Sequence, residues 1–294
     1  MEKDFLKEVL LEKQKSLKDQ KHKYPEAELR LKLEEPRVYR PFKASISGSA
    51  ALTTSSSAGA QAKPRIIAEI KNASPSEGVL RKDFNPLQIA RLYQNAGAAA
   101  ISILTEEKYF LGKIAYLNQV RKIVDLPILR KDFVFDPYQL YESKFFGADC
   151  VLLIAEILGN NRLGEFLGIA KRIELDCLVE VNAADDLRYA IDQGAQIIGL
   201  NSRNLHTLEV DKKSARELIK DIPEDRVIVL ESGIKTRRDY LSAAKSGANA
   251  LLIGGAFMKA KDIKEKFREL VEGRGRKSKA IGQKKKSRKT VKPR

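Results

Sequence analysis

Four short apolar stretches of this 294-residue chain carry charged or amide side chains where strand packing calls for carbon. In IIAEIK, Glu69 and Lys71 are two residues apart and project from one face of an extended segment, with Ile67 and Ile70 supplying apolar contacts. In PILRKDF, Leu129 and Lys131 share one face and Arg130 takes the other. In LVEV, Glu180 is in register with Leu178, and in IGLNSR, Gly199, Asn201 and Arg203 line one face. A surface ion pair at a strand's end is the bland alternative, but an ionised group at this depth costs on the order of several kcal/mol unless it is partnered, which argues for function. His22 and His206 are the only histidines, and no His, Cys and Asp cluster has metal-ligand spacing, which speaks against a metal hydrolase. Ser232 has neither an adjacent His nor a nucleophile-elbow pattern, so a serine triad is poorly supported. Proton transfer then falls to Lys and Glu whose pKa values are shifted by their surroundings.

The elements that must hold these residues repeat along the chain. Apolar runs occur at 66–70, 99–104, 127–130, 149–154, 177–181, 196–200, 226–231 and 249–254, separated by amphipathic stretches such as NPLQIARLYQNAG and RRDYLSAAKSGA. Continuous rather than alternating apolar strands imply a parallel sheet covered on both faces. Gly-Ala precedes every second run, at Gly97-Ala98, Gly147-Ala148, Gly194-Ala195 and Gly247-Ala248, so the unit is βαβα used four times. Each Gly falls where a helix C-terminus needs a left-handed residue. Eight strands in four like units favour a closed (β/α)8 TIM barrel over an open doubly wound sheet. Active sites of such barrels lie at the C-terminal ends of the strands. There the seventh and eighth strands end in Glu231-Ser232-Gly233 and Ile253-Gly254-Gly255, two glycine turns placed where these barrels commonly hold phosphate.

The barrel is expected over residues 64–272, as one catalytic domain. Ahead of it, residues 1–43 form an N-terminal extension with an amphipathic helix over 3–21, in which Phe5, Val9 and Leu10 follow helical spacing, and then an irregular segment containing Pro25, Pro36 and Pro41. Residues 44–63 are Ser, Ala and Gly rich and read as a flexible linker. The formal net charge is +16, but residues 273–294 hold eleven Lys or Arg and no acid, which leaves +5 on the 272 residues before them. That tail should be disordered and leaves weak contact with nucleic acid or an anionic surface open. No apolar run approaches the roughly 18 residues of a membrane span. The first residues carry Glu2, Asp4, Glu8, Glu12 and Asp19, unlike a secretory or transit signal, so a cytoplasmic protein, as a monomer, is expected. Cys150 and Cys177 lie inside strand-like runs and read as small buried hydrophobes.

Taken together, IIAEIKNASPSEG (66–78), ILTEEKYFLG (103–112), PILRKDF (127–133), LVEVN (178–182), IGLNSRNL (198–205), VLESGI (229–234) and LIGGAFM (252–258) resemble indole-3-glycerol phosphate synthase over residues 66–260. E-I-K-x-x-S-P-S joined to L-R-K-D-F is the specific part; the glycine turns are shared with many phosphate-binding barrels. The resemblance implies a carbon-carbon lyase of tryptophan biosynthesis that works without metal or organic cofactor. It converts 1-(2-carboxyphenylamino)-1-deoxyribulose 5-phosphate into indole-3-glycerol phosphate, carbon dioxide and water. It makes Lys131 the general acid, Lys71 its support and an attractor of anionic groups, Glu180 an aid to dehydration, Glu69 an orienter of the lysines and Asn201 a partner of a substrate hydroxyl. Ser232, counted with this catalytic set, would hold phosphate with Gly233, Gly254 and Gly255. Ser74 would position the substrate's carboxylate, and Phe110, Phe133, Leu152 and Arg203 would frame its aromatic ring. Two positions depart from the family's usual pattern: Gly255 stands where a Ser is frequent, and Asn182 where a His is. Two other readings stay open, a Schiff-base aldolase using Lys131 or Lys71 on a sugar phosphate and a non-catalytic barrel with an RNA-binding tail.

Overall fold

In the computed structural model, which describes residues 4–35, 37–48 and 63–273, eight parallel strands close on themselves. They are β1 (Arg65–Ile70), β2 (Ala100–Leu104), β3 (Ile128–Lys131), β4 (Cys150–Ile154), β5 (Asp176–Val181), β6 (Ile197–Asn201), β7 (Val227–Glu231) and β8 (Ala250–Ile253). Closure is made by β1, whose Ile67 lies opposite Ala100 of β2 on one side and Leu252 of β8 on the other. Alternate residues point in and out. Ile67, Ala100, Leu129, Cys150, Leu152, Leu178, Ile197, Val229 and Leu252 fill the inside, whereas Ala68, Ile101, Val151, Val179, Ile198, Leu230 and Leu251 meet the surrounding helices. Both cysteines are buried and free.

The extension supplies α1 (Phe5–Lys23), α2 (Glu26–Lys32) and α3 (Phe42–Ile46). The barrel supplies α4 (Pro86–Ala96), α5 (Ala115–Arg121), α6 (Tyr138–Phe146), α7 (Ala155–Arg172), α8 (Ala184–Asp192), α9 (Lys212–Glu217), α10 (Arg237–Ala244), α11 (Gly255–Met258) and α12 (Ile263–Glu272). Local chemistry sets their ends. Asn85 caps α4 by accepting from the Leu87 and Gln88 N–H groups, and Pro86 occupies the first helical position. At the other ends of α4 and α6, Gly97 (φ 91°) and Gly147 (φ 106°) take the left-handed conformation that the Gly-Ala repeat anticipates.

The extension wraps the barrel from mouth to base. Asp4 caps α1 by accepting from the Lys7 N–H, and the helix stops at Tyr24, ahead of Pro25. Its buried face, Phe5, Leu6, Val9 and Lys13, lies over the C-terminal ends of the strands, where the Phe5 N–H donates to His206 O just beyond β6. Then α2 packs along α6, with the Arg30 guanidinium 4.0 Å from the Tyr141 ring centre. Finally α3 closes the opposite end. Phe42 and Ile46 are fully buried against the barrel interior, and the Lys43 N–H donates to Asp176 at the start of β5. The expected linker at 44–63 therefore begins too early. Ala44, Ser45 and Ile46 are helical, because one buried Ile anchors a segment whose composition otherwise reads as unstructured. Most of that linker, at 49–62, and the basic tail, at 274–294, lie outside the described residues. Among the described residues, no helix is long and apolar enough to cross a membrane.

Candidate active site

The inward faces of the strands end at a cavity at the C-terminal mouth, below α1. Glu69, Lys71, Ser74, Phe110, Lys131, Phe133, Leu152, Glu180, Asn201, Arg203, Ser232, Gly233, Gly254 and Gly255 all line it. The residues singled out by type and spacing, and those implied by the resemblance, thus line one space, from β1, β3, β4, β5, β6 and the segments after β1, β2, β3, β6, β7 and β8.

At its floor the Lys131 Nζ lies 2.6 Å from Glu231 Oε2 and 3.2 Å from Glu180 Oε2. Lys71 Nζ is 2.6 Å from Glu69 Oε2. The Asn201 amide donates to Glu180 Oε1 at 2.8 Å, and its own Oδ1 accepts from the Ser232 hydroxyl at 2.8 Å and the Arg203 N–H at 3.0 Å. One chain of contacts therefore joins the turn after β7 to the ammonium on β3. Burial alone would push Lys131 down, but Glu231, Glu180 and Glu69 outweigh it and hold the ammonium well above its ordinary value. Burial pushes Glu231 up to about 7; Lys131 opposes this and Glu180 reinforces it. Its second oxygen, Oε1, has no hydrogen-bond partner.

Two glycines make room for this arrangement. A Cβ on Gly199, in β6, would come 2.5 Å from Glu231 Oε1, and one on Gly254 would collide with the Glu69 carboxylate. The bare backbone at these points lets long acidic side chains cross the barrel mouth.

The cavity is amphipathic. Phe5, Phe110 and Phe133 form an aromatic wall, with ring centres 6.3 to 6.5 Å apart, and Leu152, Ile154, Leu205 and Leu208 extend it. Opposite stand Ser232 (φ 65°) and Gly233 (φ 72°), with Gly254 and Gly255 beside them. The Ser74 hydroxyl is buried without a protein partner, and Arg203 Nη1 donates to Leu208 O at 2.6 Å. Among the described residues, no group of three or more His, Cys, Asp or Glu is placed to hold a metal ion.

Sequence reasoning missed two residues of the cavity and one buried ion pair beside it. Glu231 was read only as part of a glycine turn, although Val229 and Glu231 share the inward face just as Leu178 and Glu180 do. Phe5 was assigned to the helix but not to the cavity. Lys13 is buried with its Nζ 3.0 Å from Asp132 Oδ1 and 3.1 Å from Glu107 Oε2; its place four residues after Val9, on the same helix face, was the signal that could have found it.

The model of the family "Indole-3-glycerol phosphate synthase" matches residues 6–270. The indole-3-glycerol phosphate synthase of Caldanaerobacter subterraneus subsp. tengcongensis is 51% identical over 197 residues, covering 67% of this chain and 77% of the relative. That of Alkaliphilus metalliredigens is 40% identical over 269 residues, covering 92% and 98%. Among solved structures, 3-hexulose-6-phosphate synthase from Salmonella typhimurium aligns with a TM-score of 0.55 at 13% identity, over 71% of this chain and 97% of that one, a likeness of fold alone. With a match across nearly the whole barrel and its extension, the chain belongs to the indole-3-glycerol phosphate synthase family.

Proposed function

We propose that this cavity carries out the family's decarboxylative ring closure and dehydration of 1-(2-carboxyphenylamino)-1-deoxyribulose 5-phosphate, with Lys131 as general acid. The observation that carries the assignment is the Lys131 ammonium, fixed between Glu231 and Glu180 at the floor of a cavity with an aromatic wall on one side and two glycine turns on the other. A proton on Lys131 is what a ketone oxygen needs as the aromatic carbon attacks the ketone carbon and the new C–C bond forms. Carbon dioxide then leaves, restoring the ring. Glu180, already tied to Asn201, assists loss of the hydroxyl and a proton as water. Lys71 draws the substrate's anionic groups inward and supports the acid, while Glu69 fixes Lys71. Ser232, Gly233, Gly254 and Gly255 receive the phosphate, Ser74 the carboxylate, and Phe110, Phe133, Leu152 and Arg203 the ring.

The aldolase reading needs a neutral lysine as nucleophile. Two carboxylates within 3.2 Å keep Lys131 charged, which suits an acid and opposes an imine. Incubation with the synthetic substrate is expected to give indole fluorescence, reduced about 10²- to 10⁴-fold in Lys131→Ala. Borohydride with a sugar phosphate is expected to trap nothing. A folded wild-type chain that makes no indole, or a covalent adduct on Lys131, sinks the assignment.

A further inference from the structure

A third element faces the glycine turns after β7 and β8. It is the short hairpin after β1, Ala73–Ser74 paired with Gly78–Val79, and its tip brings Glu77 to the rim of the cavity. Glu77 Oε1 is 2.7 Å from the Nζ of Lys259, which follows α11 directly. Its other oxygen lies 3.6 Å from where a Cβ on Gly255 would stand, so the carboxylate sits against the backbone of that turn. The same tip is held from a second side, where Arg203 Nη1 donates to Ser76 Oγ at 3.4 Å. The Lys259 hydrogen bond, opposed by burial and reinforced by the charges of Lys259, Lys235 and Lys71, keeps the Glu77 carboxyl below its ordinary value, so it is an anion at neutral pH. A negatively charged group of the protein thus occupies the corner to which the proposed function brings a phosphate.

Two anions do not share such a corner without cost. Resting on that functional reading, we infer that Glu77 is a resident anion that the substrate's phosphate displaces: the phosphate takes over Lys259, and Glu77 leaves with the hairpin tip. Occupancy of the phosphate corner is thereby coupled to the position of Ser74 and Ser76 on the same hairpin. Glu77 sets how tightly phosphate is held. It acts against binding, unlike every other residue assigned to that corner.

The test is calorimetric titration of inorganic phosphate into the full-length wild-type chain, Glu77→Gln and Lys259→Met, together with KM and kcat from indole fluorescence. A repulsion of unit charges about 4 Å apart in a largely aqueous rim corresponds to about fivefold in affinity. Glu77→Gln is expected to tighten phosphate by about that factor and to lower KM for the substrate more than it changes kcat. The gain should shrink as ionic strength rises. Lys259→Met is expected to weaken phosphate. Phosphate affinity unchanged or weakened in Glu77→Gln overturns the inference, since an ion pair that only braces the hairpin loosens the site when it is removed. If the wild-type chain makes indole while the two chains bind phosphate alike, displacement alone fails. If it makes none, the assigned reaction fails and the titrations still decide the role of Glu77.

Discussion

Successive residues of one strand belong to two different charged clusters. Lys131 points into the barrel, to Glu231 and Glu180, while Arg130 and Asp132 point outward beneath α1 and α6. In the outer cluster, Arg130 donates to Thr105 Oγ1, Gln139 O, Glu142 Oε2, Ser143 Oγ and Asp132 Oδ2, which uses every edge of the guanidinium. Asp132 is met in addition by Lys13, the Thr105 hydroxyl and the Phe133 N–H. The inner cluster opens on the cavity: Lys131 and Lys71 line it, and Ser74 Oγ beside them lacks a partner. The Lys131 and Lys71 side chains are 15% and 18% exposed, against 3% and 7% for Arg130 and Lys13. Each cluster keeps one carboxylate oxygen without a partner, Glu231 Oε1 inside and Glu142 Oε1 outside, so access to the cavity is what separates the cluster that is prepared to bind and react from the one that holds the fold.

Neighbouring substitutions should split these roles most sharply. Lys131→Met is expected to lower kcat by about 10²- to 10⁴-fold and to lower the denaturation midpoint less than a substitution of Arg130 does, because Glu180 and Glu231 line the cavity. Arg130→Met, one residue away, strands Asp132 and Glu142 and should cost roughly 3–5 kcal/mol in denaturant unfolding. Equal loss of stability in both would erase the distinction between the clusters.

A backbone test comes next. Gly254→Ala pushes a methyl group into the Glu69 carboxylate, so turnover should fall by about tenfold or more with little loss of stability. Wild-type turnover in this variant would mean that Glu69 does not need its present position.

Acid unfolding probes the outer cluster. Burial would raise Asp132, but Lys13 and Arg130 bring it down from 3.8 to about 2. Its stabilisation is fully present above pH 3.8 and drains away as the pH falls through about 2, and it amounts to roughly 2 kcal/mol. Lys13→Met should therefore raise the pH of acid unfolding, and an unmoved midpoint would show that the ion pair contributes nothing.

The smallest effect is a titration of the inner cluster. With Glu231 at about 7, kcat/KM should decline as the pH falls through that value, because a neutral carboxyl holds the Lys131 ammonium in place less firmly than the ion pair does. Glu231→Gln should abolish this limb, and a wild-type profile flat across neutral pH would detach Glu231 from the reaction.

Much of this was legible in the sequence because burial and side-chain period act locally. A parallel strand covered on both faces must be apolar, so Glu69, Lys131 and Glu180 stood out against their neighbours. Position i+2 then told which face each shared, and Arg130 was correctly separated from Lys131. Glu231 escaped because Ser232 and Gly233 follow it directly, so that its charge looks like the start of a turn. Lys13 escaped although it shares a helix face with Val9. On a helix surrounded by solvated lysines, burial is decided by what packs against it, and Asp132 is 119 residues away. Ile46 and α3 were hidden by composition, since Ser and Ala dominate the segment and one apolar side chain does not make a pattern.

The docking of α1 also orders events during synthesis. Its contacts reach Asp132 through Lys13, Asp136 through Lys21 and His206 through the Phe5 N–H. This helix therefore leaves the ribosome before its seat exists, which is complete only once His206 has emerged, and Phe5, Leu6 and Val9 travel until then without their cover. Polar lysines on the remaining faces of α1 keep that nascent segment wetted while it waits.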